Sequence, residues 1–363
     1  MYRCISCDKT WTHPVKKCIF CGGGIQCEIP GTMTVTGFTE VFIHSVNNEK
    51  VPYFVLLLED ELGNRYLKKT FENYSIGESF DPHEEKTSSP VFGVIGTGLL
   101  GLQICEFLIT KGYSTVVKTR DGHTNHKTLS KIDDKLSRNY SPNAVTEILK
   151  KISVTTSFSD LSGCDFIIEA APENIGVKEE IFKALSGICD KKTIFSTNSS
   201  SLSIDQLAGV TDRPDRFIGI HFFNPVKRMD LVEVVVGEKT SHETKNRVIS
   251  ELVDMGKKPI VVKDSPGYVV NRLLLPQINE AITLLEEGVA TKEDIDNAMK
   301  LGLHHPMGPF QLADYIGLDI CLSILEVLYH ENKTGGKKPA DLLYQLFSEG
   351  KLGIKTKEGF YKY

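Results

Sequence analysis

The sequence predicts an α/β protein whose central part is a doubly wound parallel sheet, followed by an all-helical domain. Two observations support this fold class, and a third indicates a separate module at the N-terminus. A glycine-rich turn follows a short apolar strand near residue 96, helical periodicity without strand signals begins after Pro266, and two Cys-x-x-Cys pairs lie within the first 21 residues. We expect four domains over residues 1–27, 28–86, 87–265 and 266–363.

Composition restricts the classes of protein to consider. The 363 residues are 40% hydrophobic and 25% charged, with a net charge of -5, as in an ordinary globular protein. This charge gives no general attraction to nucleic acid or to membrane surfaces. No apolar run approaches the roughly 20 residues that cross a bilayer, and the N-terminus lacks an apolar signal core. We therefore expect a cytoplasmic protein without nucleic-acid or membrane partners.

Four of the nine cysteines form a metal-binding pattern at the N-terminus. Cys4 and Cys7 form one Cys-x-x-Cys pair, and Cys18 and Cys21 form the other. Two such turns bring four thiolates to one tetrahedral ion, which predicts a closed, structural zinc site in a zinc ribbon over residues 1–27. The alternatives are four unrelated reduced thiols or a redox dithiol.

Residues 28–86 have the features of short β-strands. Residues 32–43 and 52–58 are rich in Thr, Val, Phe and Ile, and turn signals occur at 62–66 and 75–78. Short strands at this spacing predict a small, OB-like β-barrel. The segment lacks the basic and aromatic stripe of a nucleic-acid-binding barrel, and a polar linker follows it.

The glycine-rich turn is the strongest motif of the central domain. Residues 91–95 form an apolar strand, and the turn then reads Gly96-Thr97-Gly98-Leu99-Leu100-Gly101. A periodic helix and a second strand at 114–118 follow. Glycines at these positions allow a tight turn and close approach of a pyrophosphate to the helix N-terminus. The context predicts a Rossmann-type NAD(P)-binding domain, with Leu99 and Leu100 among the coenzyme contacts.

The end of the second strand bears on the choice of coenzyme. NAD-binding domains usually carry an acid here that binds the ribose 2′-hydroxyl, whereas this chain has Lys118-Thr119-Arg120. Arg120 is suited to a 2′-phosphate, and Thr119 offers a further hydrogen bond. The pattern favours NADP over NAD. In the alternative, Asp121 reaches the ribose and the basic side chains are merely solvated.

Polar residues also follow two later strands. Glu173 and Asn174 come after the strand at 165–169, with Lys178 one helical turn further, and Thr197 and Asn198 lie in a Ser- and Asn-rich run after the next strand. Residues beyond strand ends line the ligand crevice of such a sheet. They are candidate site residues, with Glu173, Lys178 and Asn198 as the coenzyme contacts, while Ser200 is an alternative N-cap for the following helix.

Residues 217–233 carry the candidate acid–base pair. His221 lies in an apolar run, and Glu233 lies in a second one. An imidazole oriented by a buried carboxylate works as a general base near neutral pH. Taken alone, His221 is better explained as a core histidine before the turn at Asn224-Pro225, and it is the neighbouring motifs that favour the catalytic interpretation.

Five longer segments resemble the 3-hydroxyacyl-CoA dehydrogenase family. They are Ser-Thr-Asn-Ser-Ser-Ser-Leu at 196–202, His-Phe-Phe-Asn-Pro-Val at 221–226, Leu-Val-Glu-Val-Val at 231–235, Asp-Ser-Pro-Gly-Tyr-Val-Val-Asn-Arg at 264–272 and Lys-Thr-Lys-Glu-Gly-Phe-Tyr at 355–361. The resemblance runs from about Val91 to the C-terminus. It implies interconversion of (S)-3-hydroxyacyl and 3-oxoacyl thioesters by hydride transfer to or from NAD(P).

The resemblance also assigns catalytic roles. The general base falls on His221 and its orienting carboxylate on Glu233, while Asn271 and Thr197 fall on the positions that hydrogen-bond the C3 oxygen. Thr197 departs from the serine that the family motif carries. Glu173 and Lys178 fall near the nicotinamide ribose.

The substrate and partner classes remain alternatives. The resemblance implies an acyl-CoA thioester, with an acyl-carrier-protein thioester, a free hydroxy acid and a non-catalytic scaffold as the other hypotheses. The N-terminal part resembles zinc-ribbon and OB-fold modules found beside acyl-CoA enzymes, which implies docking to a thiolase-like partner. The resemblance to the dehydrogenase family implies that the helical domain forms a homodimer contact. His304 and His305 have no carboxylate spacing that would indicate a metal site.

Overall fold

The computed structural model describes residues 89–331 and 337–363 continuously, together with residues 2–4, 6, 10–11, 21, 25–27, 33–41, 53–60, 63, 65–70, 74 and 76–80. The chain divides into two compact units. One contains Met1–Pro90 and Ser241–Lys258, and the other contains Val91–Thr240 and Pro259–Tyr363.

The described residues of the first unit contain two antiparallel sheets. The first has the order β2-β1-β3 and the second has the order β6-β5-β4-β7. The strands are β1 (Tyr2–Cys4), β2 (Thr10–Trp11), β3 (Ile25–Cys27), β4 (Met33–Val41), β5 (Tyr53–Glu59), β6 (Arg65–Thr70) and β7 (Ser79–Phe80).

The second sheet has its own small core, because alternate residues of each strand face the same side. The buried side chains are Met33, Val35, Phe54, Leu56, Leu58 and Phe80. Among the described residues, the predicted barrel is present only as this open four-stranded sheet. Of the predicted zinc ligands, Cys7, Cys18 and the side chain of Cys4 lie outside the described residues, and Cys21 is exposed. The zinc site therefore stays a prediction.

The second unit is built on an eight-stranded sheet of order β10-β9-β8-β11-β12-β13-β14-β15. Its strands are β8 (Phe92–Ile95), β9 (Thr115–Lys118), β10 (Ile152–Thr155), β11 (Phe166–Glu169), β12 (Ile194–Thr197), β13 (Phe217–Phe222), β14 (Leu231–Val236) and β15 (Lys258–Lys263). The first six strands pair in parallel and follow the doubly wound order of a Rossmann domain. This part of the predicted fold is confirmed.

The described helices are α1 (Leu99–Thr110), α2 (Gly122–Ser137), α3 (Pro142–Leu149), α4 (Ile175–Ser186), α5 (Ile204–Gly209), α6 (His242–Asp254), α7 (Val270–Glu286), α8 (Lys292–Leu303), α9 (Pro309–Ile316), α10 (Leu318–Glu331) and α11 (Asp341–Ser348). Polar side chains cap several of them by accepting N–H groups of the first turn, as Asp121 does for α2 and Asn174 for α4. Helix α6 belongs to the first unit.

Helices α7 to α11 form the predicted all-helical part, with a core of their own that includes Phe310 and Leu318. The C-terminal segment is fastened to this core by the buried carboxylate of Asp314, which accepts the N–H groups of Phe360 and Tyr361 at 2.9 Å. Burial raises the pKa of Asp314, although these hydrogen bonds oppose the shift.

A search of the described residues finds no helix that is long and apolar enough to cross a membrane.

Candidate active site

The glycine turn lies between β8 and α1, and its three glycines have different reasons to lack a side chain. Gly96 has φ +105°, and a Cβ there would lie 2.4 Å from the carbonyl oxygen of Ala170. A Cβ on Gly101 would lie 2.2 Å from the carbonyl oxygen of Gly96, whereas one on Gly98 would meet nothing within 4 Å. The first and last glycines thus permit close packing, and Gly98 leaves open space at the helix N-terminus, where a pyrophosphate binds.

A cavity of about 680 Å³ opens beside this turn. Its walls come from the turn, from the end of β9 and from the loop after β11. The lining residues are Ile95, Gly96, Thr97, Gly98, Leu99, Leu100, Lys118, Thr119, Arg120, Phe158, Ala170, Ala171, Pro172, Val177 and Ile181. Of the predicted coenzyme contacts in these segments, Gly101 does not line the cavity, and those that do are Gly96, Gly98, Leu99, Leu100, Thr119 and Arg120.

The side chains at the end of β9 point in different directions. The Thr119 hydroxyl is buried and is committed to Asn125 and to backbone carbonyls, which corrects the expectation that it hydrogen-bonds the coenzyme. Asp121 accepts the N–H and hydroxyl of Thr124 at 2.8 Å, so its carboxylate caps α2. Arg120 is exposed. No acidic side chain from this turn takes the ribose-binding position.

His221 and Glu233 lie directly opposite each other on the antiparallel strands β13 and β14. Residues in such register have neighbouring side chains on the same face of the sheet. The Nδ1 atom of His221 is 2.7 Å from Oε2 of Glu233, and both side chains are buried. The predicted acid–base pair is thus brought together by strand register.

The second carboxylate oxygen of Glu233 accepts the backbone N–H groups of Val269 and Val270 at 3.1 and 3.0 Å. Burial alone would raise the pKa of Glu233, but the hydrogen bonds from His221 and from these two N–H groups outweigh it and lower that pKa. Glu233 is therefore a carboxylate at neutral pH, and it accepts a hydrogen bond from the protonated Nδ1 of His221.

The other nitrogen of His221 faces Ser200, whose Oγ lies 3.1 Å from Nε2. Because Glu233 fixes the proton of a neutral imidazole on Nδ1, Nε2 is the basic nitrogen and Ser200 donates to it. The ring packs against Phe223 and Tyr268, with centroid distances of 4.7 and 5.6 Å. The histidine is therefore held on both of its nitrogens and on its sides.

Glu173 positions the loop that carries Ser200. Its Oε1 accepts the N–H groups of Ser200 and Ser201 at 2.9 and 3.1 Å and the hydroxyl of Ser199 at 2.5 Å. Asn198 ties the same loop to β13, because its side-chain oxygen accepts the N–H of Phe222 at 2.9 Å. The sequence predicts both residues as coenzyme contacts, and no sequence signal indicates their hydrogen bonds with this loop and with β13.

Thr197 does not lie where the sequence placed it. Its hydroxyl is fully buried and donates to Oε2 of Glu169 at 2.6 Å. Glu169 also receives the buried ammonium group of Lys178, at 2.8 Å from each carboxylate oxygen. The hydroxyl beside His221 belongs instead to Ser200, for which the sequence leaves a place in the polar cluster and a helix cap as equal alternatives. Ser203 is the residue that caps α5, by accepting the N–H of Gln206.

A second cavity, of about 350 Å³, lies where the ends of the sheet strands meet α10. It is lined by Leu100, Ala170, Ala171, Glu173, Lys178, Asn198, Ser200, Ser201, Asp319, Ile320, Ser323 and Ile324. The cavity shares Leu100, Ala170 and Ala171 with the larger one. Asn271 lies half-buried in the first turn of α7, next to the Val270 N–H that Glu233 holds. The α10 residues were missed because nothing in the sequence relates that helix to the crevice.

These features define a dinucleotide-dependent oxidoreductase with a histidine–carboxylate pair at the reacting end of the crevice. Among the described residues no cluster of three or more His, Cys, Asp or Glu side chains is placed to hold a metal.

Comparison with known proteins identifies the family. The profile of the 3-hydroxyacyl-CoA dehydrogenase NAD binding domain matches residues 91–265, and that of the C-terminal domain of the same family matches residues 267–363. The chain belongs to the 3-hydroxyacyl-CoA dehydrogenase family. The resemblance seen in the sequence motifs is thereby confirmed for these three quarters of the chain.

Relatives match over nearly their whole length. A 3-hydroxybutyryl-CoA dehydrogenase of Clostridioides difficile is 44% identical over 275 residues, which cover 74% of this chain and 98% of the relative. The mitochondrial hydroxyacyl-coenzyme A dehydrogenase of Sus scrofa is 42% identical over 283 residues, covering 74% and 90%. The crystal structure of (S)-3-hydroxybutyryl-CoA dehydrogenase from Ralstonia eutropha superposes with a TM-score of 0.72 at 42% identity, covering 76% and 99%.

Proposed function

We propose that this enzyme interconverts (S)-3-hydroxyacyl-CoA and 3-oxoacyl-CoA thioesters, with His221 as the general acid–base. The observation that carries the proposal is the 2.7 Å contact between His221 and Glu233, which leaves Nε2 beside Ser200 at the edge of the smaller cavity. The relatives named above act on hydroxyacyl-CoA substrates according to their names.

His221 moves the proton of the reaction. In the oxidative direction Nε2 takes the proton of the 3-hydroxyl group, and in reduction it returns that proton to the C3 oxygen. The nicotinamide ring, when bound, accepts the hydride from C3 or supplies it. Glu233 stabilises the imidazolium that forms, since its charge lies 2.7 Å from Nδ1.

Ser200 and Asn271 hydrogen-bond the C3 oxygen in this mechanism. The Ser200 hydroxyl lies next to Nε2 of His221. Asn271 directly follows Val270, whose backbone N–H donates to Glu233. Thr197 acts differently from the sequence-based prediction: through Glu169 it supports Lys178. Glu173 and Lys178 line the cavity at the nicotinamide end, where they orient the coenzyme ribose.

The residues fit a nicotinamide dinucleotide, because Gly98 leaves room at the N-terminus of α1 and because the larger cavity extends from there to the end of β9. The matching family domain is NAD-binding. We propose in addition that NADP(H) is accepted. The Asp121 carboxylate caps α2, so the charged side chains of β9 and its turn that line the cavity are the basic Lys118 and Arg120. The test is the ratio of kcat/KM for NADPH to that for NADH with acetoacetyl-CoA. A clearly higher kcat/KM for NADH contradicts the NADP(H) proposal and leaves the proposed reaction untouched.

The activity is tested by reduction of acetoacetyl-CoA, followed by loss of reduced-coenzyme absorbance. We expect turnover with the CoA thioester and little with free acetoacetate. Acetoacetyl carrier protein is the substrate that tests a biosynthetic role. A higher kcat/KM for it than for acetoacetyl-CoA would make the carrier-protein thioester, and not the CoA thioester, the proposed substrate. Absence of turnover with all three acyl forms and both coenzymes contradicts the proposed function and favours the scaffold hypothesis.

The homodimer is a proposal supported by apolar side chains of the helical part. Leu273 on α7 and Leu301 and Leu303 on α8 are 72%, 79% and 58% exposed in the single chain. Exposed apolar patches mark association surfaces. Light scattering on the purified chain tests the proposal, because Leu301→Lys should lower the measured mass if this surface joins two copies.

The N-terminal part is proposed to hold structural zinc and to dock a thiolase-like partner. The described residues there include the exposed side chains of Phe38 and Leu67 in the sheet and of Ile76 in a turn, which supports a contact role. Metal analysis of the full chain should find one zinc that Cys18→Ser removes. Co-sedimentation with a purified thiolase, with and without residues 1–86, tests the partner.

A further inference from the structure

A lysine and a phenylalanine pair at the adenosine end of the crevice. Lys118 is the last residue of β9, and its Nζ lies 4.3 Å from the centroid of the Phe158 ring. Phe158 packs against the core of the Rossmann domain, which fixes the ring. A cation at this distance is attracted to the ring face. The ring therefore holds the long lysine side chain in one place.

The charge of Lys118 is not neutralised by a carboxylate. Burial lowers the pKa of Lys118 and is the one cause that shifts it. In the part of the chain that the structure describes, Lys118 forms no ion pair, and Asp121 next to it is occupied by Thr124. An aromatic face attracts the ammonium group but does not neutralise its positive charge, so the group can still bind an anion.

The position of this cation corresponds to one part of the coenzyme. The carbonyl of Lys118 accepts the N–H of Gly96 at 3.4 Å, so the residue lies beside the first glycine of the phosphate-binding turn. In doubly wound folds the end of the second strand faces the 2′ position of the adenosine ribose. Lys118 and Phe158 line the same cavity as the turn.

We propose that Lys118, positioned by Phe158, selects a coenzyme that carries a 2′-phosphate on its adenosine ribose. The inference rests on the proposed function only in that the same crevice receives the coenzyme. Lys118 contacts the phosphate, and Phe158 acts through Lys118 as a positioning residue.

The experiment measures binding of adenosine 2′,5′-bisphosphate and of AMP to the full chain by calorimetry. The two ligands differ only in the 2′-phosphate. Wild-type protein should bind the bisphosphate about tenfold or more tightly, the factor that one charge-assisted hydrogen bond supplies. Lys118→Met should remove this preference, and AMP should still bind to the variant, which shows that the crevice is intact.

Two further variants separate positioning from charge. Phe158→Leu keeps the cation but removes the ring face, and should reduce the preference partially while AMP still binds. Lys111→Met is the matched control, because Lys111 lies 5.7 Å over the ring of Phe107 at the end of α1 and does not line the cavity. This control should retain the full preference.

Equal affinity of the wild type for the two ligands overturns the proposal, as does full preference in Lys118→Met. Loss of the preference in Arg120→Met but not in Lys118→Met overturns it in favour of the neighbouring arginine. An unchanged preference in Phe158→Leu overturns the positioning role. None of these measurements needs a thioester, so their failure is distinguishable from absence of acetoacetyl-CoA turnover.

Discussion

The two ends of the coenzyme crevice are built on different principles. At the reacting end, His221 is paired with Glu233 and Lys178 with Glu169, and all four side chains are buried. At the adenosine end, Arg120 is exposed and Lys118 rests on an aromatic ring. Buried pairs hold one geometry because breaking them leaves an uncompensated charge. Substituting an exposed cation such as Arg120 costs little stability. The geometry of the proposed acid–base pair is thus fixed more firmly than that of the basic side chains at the adenosine end.

The largest effect is expected at His221, and it tests whether the reacting end carries the chemistry. His221→Ala should lower kcat for acetoacetyl-CoA reduction by about 10²–10⁴-fold, because Nε2 of His221 is the group proposed to exchange the proton of the C3 oxygen. Coenzyme affinity, measured by fluorescence titration, should be unchanged. His305→Ala, in an exposed loop, is the control. Near-normal kcat in His221→Ala contradicts the assignment.

Glu233→Gln tests the charge of the pair. The loss of one preorganised electrostatic contact should lower kcat by about a hundredfold. Because folding lowers the pKa of Glu233, its carboxylate stabilises the fold above the ordinary carboxyl pKa, and this contribution disappears as the pH falls through the folded-state pKa. The difference in free energy of unfolding between wild type and variant should therefore shrink on acidification. A difference that is constant with pH contradicts this account.

Ser200 and Thr197 can be compared directly, since the role that the sequence predicts for Thr197 is proposed for Ser200. Ser200→Ala should lower kcat by about tenfold to a hundredfold with little change in Tm. Thr197→Val removes a donor from buried Glu169 and should destabilise the fold by about 1–3 kcal/mol instead. Denaturant titration and steady-state kinetics measure the two effects. The reverse outcome would return the catalytic hydroxyl to Thr197.

The smallest effect is expected at the glycine turn. Gly98→Ala should raise KM for the coenzyme by about tenfold and leave Tm unchanged, because its methyl group enters the open space and meets no protein atom. Gly101→Ala should lower Tm, since its Cβ would lie 2.2 Å from a backbone oxygen. Thermal unfolding with and without coenzyme distinguishes the variants. Equal losses of Tm would contradict the different roles.

The sequence predicted those parts of the fold that depend on contiguous patterns. The glycine turn between a strand and a helix identified the coenzyme domain, and the helical periodicity after Pro266 identified the last domain. Whether the predicted boundaries at residues 87 and 266 are those of independent domains stays a prediction. The placement of α6 with the N-terminal unit had no sequence signal, because such an association depends on contacts between distant segments.

The candidate site was predictable where strand register carries it and not where loop direction does. His221 and Glu233 stand opposite each other on adjacent strands, but Thr197 and Ser200 are three positions apart in one polar run. Thr197 ends β12 and turns inward to Glu169, while Ser200 follows in the loop that Glu173 holds. Side-chain direction in a loop depends on those hydrogen bonds, which spacing alone does not reveal.

The contact between Glu233 and the start of α7 ties the helical part of the chain to the proposed acid–base pair. Glu233 recognises the backbone N–H groups of residues 269 and 270, so neither valine side chain is needed for it. Every residue except proline can supply such a donor. Comparison of side chains at these positions would therefore overlook the link, and a chimaera that misplaces this backbone by one turn should bind coenzyme yet lose its oriented histidine.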